Sequence, residues 1–263
     1  MRLPIDVQAY VGQYPFRHLP HPDPEVLVRV LAREGVGGAW VGHLPTAFHR
    51  DPGPGNEALY ESLEAHRAVL HPAPAVRPDW PGWERELARA IDRGAPAIRA
   101  YPMHWGLGAG DAGLARLVGA CGEAGAALVL TAKFEDLRQR HPLDAAGDLT
   151  GAHVRAIARA SRATNVVVCG AGREVIEESF WGLTSDERSR LYFDVSWIWG
   201  PPEDHLAKLF RAMGADRFVF GTGWPLRLTQ VPIASLDLLP DDVSERGMTD
   251  AGTLARKEKG ERR

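Results

Sequence analysis

Lys133, Glu135, Asp136, Arg138, His141 and Asp144 all fall within one short stretch, TAKFEDLRQRHPLD, residues 131–144. Glu135 with His141 offers a carboxylate–imidazole pair, a combination that moves protons near neutral pH. Lys133, once desolvated, would serve as a nucleophile or an anion binder. The same residue types also make ordinary solvated faces: Glu135 and Arg138, three apart, suit an ion pair on a helix surface, with His141 then a loop residue before Pro142. A second group lies in IRAYPMHWG. Arg99 either points inward with Tyr101 and clamps a carboxylate bidentately, or points outward and orders a neighbouring acid. His104 follows as a pocket or loop residue. Arg17, in YPFRHLP, either meets a substrate anion or pins its own loop. Asp194, in LYFDVSW, is a base, or else a buried carboxylate bonded to Ser196 or a loop amide. Cys169 reads as a packed thiol, and Trp197, Trp199 and Trp224 as an aromatic rim or a cover.

These residues need a frame that brings them together. Short apolar runs at 3–11, 38–42, 69–76, 96–101, 127–132, 165–169, 191–196 and 217–221 read as strands. Amphipathic stretches beginning near Asp23, Asn56, Trp83, Asp111, Thr150, Arg173, Pro202 and Leu228 read as helices. In DPEVLVRVLAREG, Asp23 caps, Pro24 suits the first helical position and Gly35 closes the helix. Strands and helices alternating eightfold in a chain of this length predict a single α/β domain, a (β/α)8 TIM-type barrel over residues 1–243. Residues 244–263 are expected to be a charged C-terminal tail, partly disordered. In such a barrel the site lies at the carboxyl ends of the strands, where Gln8, Tyr10, Arg99, Tyr101, Lys133, Asp194 and Trp224 all fall.

Composition narrows the partners. With a net charge of −3 and no concentration of Lys and Arg outside the mixed-sign terminus, nucleic acid is a poor fit. No apolar run approaches the length of a membrane span, and Met1 leads straight into a strand-like run, so a cytoplasmic protein is expected. Two cysteines without CxxC spacing encode neither a zinc ribbon nor a disulfide scaffold. The expected partner is a small anionic molecule, with homo-oligomers allowed for and no cofactor called for.

PIDVQAYVG at the first strand and FVFGTGWPLR at the last resemble the amidohydrolase superfamily, whose members open on IDxHxH and close on FGSDxP. VVVCGAG and LYFDVSWIWG resemble the strands between. A metal-ligand-poor subgroup of that superfamily is similar in YPFRHLP and EDLRQRHP. The resemblance implies an amidohydrolase-like barrel and, in ordinary members, a divalent metal held by two histidines of strand one, one each of strands five and six, and a strand-eight aspartate. At those positions this chain carries Gln8, Tyr10, residues 131–133, Cys169 or Gly170, and Gly223. Gly223 thus reads as the vacancy of a missing ligand. Gln is a weak neutral donor, Tyr is protonated near neutral pH and Gly donates nothing, so no metal is expected there. A new oxygen-rich site from Glu135, Asp136, His141 and Asp194 is the remaining metal possibility.

The expectation is therefore a metal-independent hydrolase or decarboxylase-like lyase for a small carboxylated molecule. Glu135, His141, Asp194 and Lys133 would do its chemistry. Gln8, Tyr10, Arg17, Arg99, Tyr101, His104 and Trp224 would bind the substrate. The alternative is a barrel without catalysis, serving as a binding or scaffolding subunit.

Overall fold

In the computed structural model, which describes residues 4–255, eight strands alternate with eight principal helices. The strands are β1 (Ile5–Val11), β2 (Gly38–His43), β3 (Leu70–Pro72), β4 (Ala97–Ala100), β5 (Ala127–Thr131), β6 (Val166–Cys169), β7 (Leu191–Asp194) and β8 (Phe218–Val219). The helices are α1 (Pro24–Arg33), α2 (Gly53–Leu63), α3 (Trp83–Asp92), α4 (Ala112–Glu123), α5 (Gly151–Ala160), α6 (Arg173–Trp181), α7 (His205–Met213) and α8 (Gln230–Asp237). Every expected strand and helix is present in the expected order.

All ladders are parallel, running β1–β2–β3 and β4 through β8. Two irregular seams close them into a barrel. At the first, Arg99 N–H donates to Pro74 O at 2.8 Å and Val76 N–H to Arg99 O at 3.1 Å. Pro72 and Pro74 have no N–H to give, which shortens β3 to three residues where the apolar run predicted a longer strand. At the second, Val7 N–H donates to Phe220 O at 3.0 Å, Gly223 N–H to Gln8 O at 2.8 Å and Tyr10 N–H to Trp224 O at 2.8 Å.

Small and branched side chains fill the barrel: Val7, Ala97, Val129, Val167 and Val219, with Trp40 the one large member. Ala251 and Leu254 belong to the same cluster. Leu254 O accepts from Asn165 Nδ2 ahead of β6, so the C-terminal segment covers the amino-terminal end of the barrel. Packing thus continues past residue 243: the first part of the expected tail, through residue 255, is built into the fold. Residues 256–263, the remainder of that tail, lie outside the described residues. The helices present apolar stripes to the sheet, as α1 does with Leu27, Val30 and Leu31. No helix among the described residues is long and apolar enough to cross a membrane.

The register of β1 against β2 shifts between Asp6 and Ala9. Such an irregularity re-aims the side chains beyond it. Val7 faces the interior cluster, and Tyr10, three residues on, also turns inward. Asp6 sits at this point, fully buried, and accepts three bonds: from Gln8 N–H at 2.8 Å, Thr222 N–H at 3.0 Å and Thr222 Oγ1 at 2.6 Å. Thr222 Oγ1 in turn accepts from Trp224 N–H at 3.1 Å. One carboxylate thereby fixes the end of β1 and the loop after β8 together.

Asp6→Ala strands two buried amides and a hydroxyl, and is expected to destabilise the fold by about 3–5 kcal/mol. Thr222→Val, which deletes only the hydroxyl bonds, should cost about 1–2 kcal/mol. Urea unfolding with linear extrapolation measures both, and equal losses would show that the Asp6 carboxylate does not organise the seam.

Candidate active site

Arg99 points into the barrel and is fully buried. Its Nη2 donates to Val7 O at 2.9 Å and Trp40 O at 3.0 Å, and Nη1 to the Tyr10 hydroxyl at 3.2 Å. The guanidinium also lies 4.6 Å from the centre of the Tyr10 ring. Room for it comes from Gly42 on β2: a Cβ there would stand 2.7 Å from Arg99 Nε. Of the two orientations open in the sequence the inward one holds, but Arg99 binds the barrel's own backbone and faces no free space for a substrate. Tyr10 continues the network, its hydroxyl 3.1 Å from Thr131 Oγ1. Gln8 Oε1 accepts from Ser196 Oγ at 2.6 Å. The two β1 residues singled out by sequence are thus inward, buried and mutually committed.

Beside this floor lies Asp194, fully buried at the end of β7. Its Oδ1 accepts from Gly170 N–H at 2.8 Å, while Oδ2 is buried without a hydrogen-bond partner. Burial pushes the carboxyl up to about 7, the Asp6 charge adding to it and Ser196 and the Gly170 amide opposing it. Cys169 next to it is driven well above its ordinary value, by burial first and the Asp194 charge second, and stays a thiol. Trp197 covers this corner from the loop after β7. Lys133 Nζ lies 4.6 Å and the Arg227 guanidinium carbon 4.0 Å from its ring centre. Among the described residues neither cation has a carboxylate within ion-pair distance. Gly223 has φ +76°, a left-handed backbone, and a Cβ there would meet the Arg227 stem at 3.5 Å. That backbone favours glycine, and the Arg227 stem lies within ordinary contact of it.

An open groove of about 300 Å³ runs above, lined by Arg17, Phe134, Glu135, Trp197, Trp199 and Arg227 among others. A larger cavity of about 850 Å³ lies at α8 and the C-terminal segment, and none of Lys133, Asp194, Trp197 or Arg227 lines it. Convergent titratable groups, not size, mark the candidate site; Trp197 and Arg227 of that corner line the groove, while Lys133 and the fully buried Asp194 do not.

The other side of the barrel mouth is filled. Phe134 packs against Tyr10, Tyr14, Phe48, Tyr101 and His104, with ring centres 5.1–6.3 Å apart. Tyr101 is buried in this plug, edge-on to Trp105. His104 Nε2 stands 3.3 Å from Asp144 Oδ1, too oblique for a hydrogen bond, and Asp144 Oδ2 accepts from the Tyr14 hydroxyl at 3.1 Å.

The expected Glu135–His141 pair does not form. Glu135 accepts from Arg17 Nε at 2.6 Å, and Arg17 Nη2 reaches Leu226 O, so Arg17 pins three loops together. His141 is exposed and stacks on Phe16, its Nδ1 accepting from Leu143 N–H. Arg138 pairs with Asp136 at 2.8 Å and not with Glu135. The four candidates for a new metal site are thereby dispersed. Among the described residues no three His, Cys, Asp or Glu side chains stand together as a metal ligand set. Trp224 turns outward, lining a cavity with Arg29 and Gln230 on the far side of β1, so it is no wall of the mouth. Of the sequence candidates, Lys133 and Asp194 share one corner over the Gln8 and Tyr10 floor. Arg227 was not among the sequence candidates, although a cation four residues past Gly223 of the strand-eight turn was signal enough to include it.

The fold is a TIM barrel similar to those of solved amidohydrolases and decarboxylases. Dihydroxybenzoic acid decarboxylase from Polaromonas, whose crystal structure contains manganese and the inhibitor 2-nitroresorcinol, matches at TM-score 0.68 and 14% identity, over 97% of this chain and 95% of that one. 5-Carboxyvanillate decarboxylase from Sphingomonas paucimobilis matches at 0.66 and 11% identity, over 96% of each chain. An amidohydrolase from Mycobacterium avium subsp. paratuberculosis matches at 0.64 and 17%, over 90% of this chain and 74% of its own. Compared by sequence, the chain matches no family model and no curated protein. At these identities the likeness is one of fold.

Because the Asp194 carboxyl is raised from 3.8 to about 7, the folded protein holds a proton there that the unfolded chain releases. Its contribution to stability is fully present below about pH 4 and is lost as pH rises to about 7, at most about 1.4 kcal/mol per pH unit and roughly 4 kcal/mol in all. Asp6, also raised by burial, is present in both proteins compared and largely cancels. Relative to Asp194→Asn, the parent protein should therefore lose stability between pH 4 and 8 in urea titrations. Parallel profiles would mean that Asp194 ionises freely in the fold.

Proposed function

We propose that this barrel is a metal-independent proton-transfer enzyme for a small, flat, carboxylated molecule, with decarboxylation as its reaction. The observation that carries the reading is Asp194, a buried carboxyl with one oxygen free of hydrogen bonds and an affinity for protons near neutrality, near two cations that have no carboxylate within ion-pair distance among the described residues. Lys133 and Arg227 would take the substrate carboxylate, and Trp197 would offer its ring face to an apolar body. Arg227 covers the approach to Asp194, so substrate entry requires it to leave the Trp197 face for the incoming anion. The bond from the substrate to its carboxylate then breaks and CO₂ leaves. The electron pair left on carbon takes the Asp194 proton, and solvent returns a proton to Asp194. The structural neighbours named as decarboxylases support the reaction class by analogy of fold.

A divalent cation does not fit the strand-end residues of this chain. Gln8 is bonded to Ser196, Tyr10 to the Arg99 cation, and Cys169 keeps its proton, so none of the three offers the anionic or neutral-nitrogen donor a metal needs. Hydrolysis within the same site is the sister chemistry, with Asp194 as base toward water. A binding or scaffolding role is the second reading, favoured by the aromatic plug that leaves Tyr10, Arg99 and Tyr101 without access to solvent.

The test is a panel of hydroxylated benzoates assayed for CO₂ release, with ligand-detected NMR run in parallel. Turnover is expected to follow a single group titrating near 7 and to fall by about 10²–10⁴ in Asp194→Asn. Lys133→Met and Arg227→Met should raise KM, and dialysis against a chelator should leave kcat unchanged. Binding without turnover across the panel would favour the scaffold. Loss of activity with a stoichiometric metal would overturn the metal-independent reading.

A further inference from the structure

Gln8 is buried beneath the candidate site, and the proposed chemistry gives it no task. Its Oε1 accepts from Ser196 Oγ at 2.6 Å. Ser196, also buried, follows two residues after Asp194 and stands near enough to its carboxyl to favour the charged form. Among the described residues no hydrogen bond joins the two: Asp194 Oδ1 accepts from Gly170 N–H at 2.8 Å, and Oδ2 has no partner. A serine hydroxyl has one proton to give. Two acceptors face it here, an amide carbonyl and a carboxyl, and the amide receives it. The carboxyl is not free to swing toward the hydroxyl. Gly170 N–H holds Oδ1, and the main chain at Gly221 runs against the rest of the group. A Cβ on Gly221 would stand 2.5 Å from Asp194 Oδ2 and 2.8 Å from the Asp194 Cβ. Gly221 is itself held on both sides, because Phe220 O accepts from Val7 N–H and Thr222 is tied to Asp6.

We propose that Gln8 is a positioning residue for the Asp194 proton: by holding the Ser196 hydroxyl it keeps a donor away from Oδ2, and the carboxyl stays in its neutral form. A buried carboxylate oxygen without a donor is costly, and the neutral acid much less so. Gln8 acts through Ser196 and touches no substrate. Its value to a reaction rests on Asp194 being the proton donor proposed above, whereas the arrangement itself belongs to the unliganded protein. Asp6 on β1, Cys169 on β6 and Arg227 after β8 also face the carboxyl, and Tyr10 adjoins Gln8. None of these four changes in the variants below, so their effects cancel in a double-mutant cycle.

The Asp194 Cγ resonance of protein carrying ¹³C-labelled aspartate, assigned by its disappearance in Asp194→Asn, reports the titration without substrate. Gln8→Met keeps the length of the side chain and removes the acceptor. The hydroxyl then turns to Oδ2, and the midpoint is expected to fall by about one pH unit or more, the effect of one hydrogen bond to a charged group. In a Ser196→Ala background, Gln8→Met should leave the midpoint in place, because no hydroxyl remains to be redirected. A midpoint unmoved by Gln8→Met overturns the proposal, as does a fall that persists without Ser196. Ser196→Ala alone should raise the midpoint only slightly. A rise of about one unit or more would show that the hydroxyl already serves Asp194, and it overturns the proposal with no change made at Gln8. Where turnover is measured, its pH profile should move with the midpoint. Lack of turnover across the benzoate panel, with the cycle intact, would count against the proposed reaction and not against the role of Gln8.

Discussion

Much of the molecule hangs on one buried carboxylate. A closed parallel barrel must join its last strand to its first, and here β8 is only two residues long. Backbone pairing alone is thin at that join. Asp6 supplies what the ladder lacks, accepting from Thr222 twice and from Gln8 once, at the place where the register of β1 shifts. The shift turns Gln8 and Tyr10 inward. The anchored Thr222 sets the turn through Gly223 to Arg227. Floor and rim of the candidate site therefore descend from the same three hydrogen bonds.

Arg99 is the second organising charge, and it works without an ion pair. Its bonds run to carbonyls on β1 and β2 and to the Tyr10 hydroxyl, so it ties three strands across the barrel axis. A guanidinium is suited to this, because it stays charged when buried and offers several donors in fixed directions. Between Arg99 on one side and the Phe134 plug above, the space open to a ligand is pushed toward β7 and β8. That asymmetry explains why Lys133, Trp197, Arg227 and Asp194 gather in one corner while His104 and Tyr101 are sealed in the other.

The barrel was legible in the sequence because its signals are local. Apolar runs of strand length alternate with amphipathic stretches, and each capping or closing residue sits near its own helix. The departures have local causes too, such as the prolines of β3 withholding N–H groups. The site was less legible. Whether Arg99 faces inward depends on strand parity and on a glycine at 42, on another strand. Glu135 and His141 lie in a loop without periodicity, where Arg17, distant in sequence, captures one and Phe16 the other. Trp224 faces outward because the turn before it is left-handed, which an amino-acid type alone does not announce. Lys133 and Asp194 were found because they end strands, the one place where topology and chemistry coincide.

The left-handed turn at Gly223 also sets how much freedom Arg227 has. A Cβ at 223 would meet the Arg227 stem at 3.5 Å, an ordinary contact, so the limit at that position is the backbone angle and not the space. The guanidinium on Trp197 is therefore carried by a tight turn whose shape is anchored from Thr222, and what the side chain can reach is decided at the turn and not along its own length.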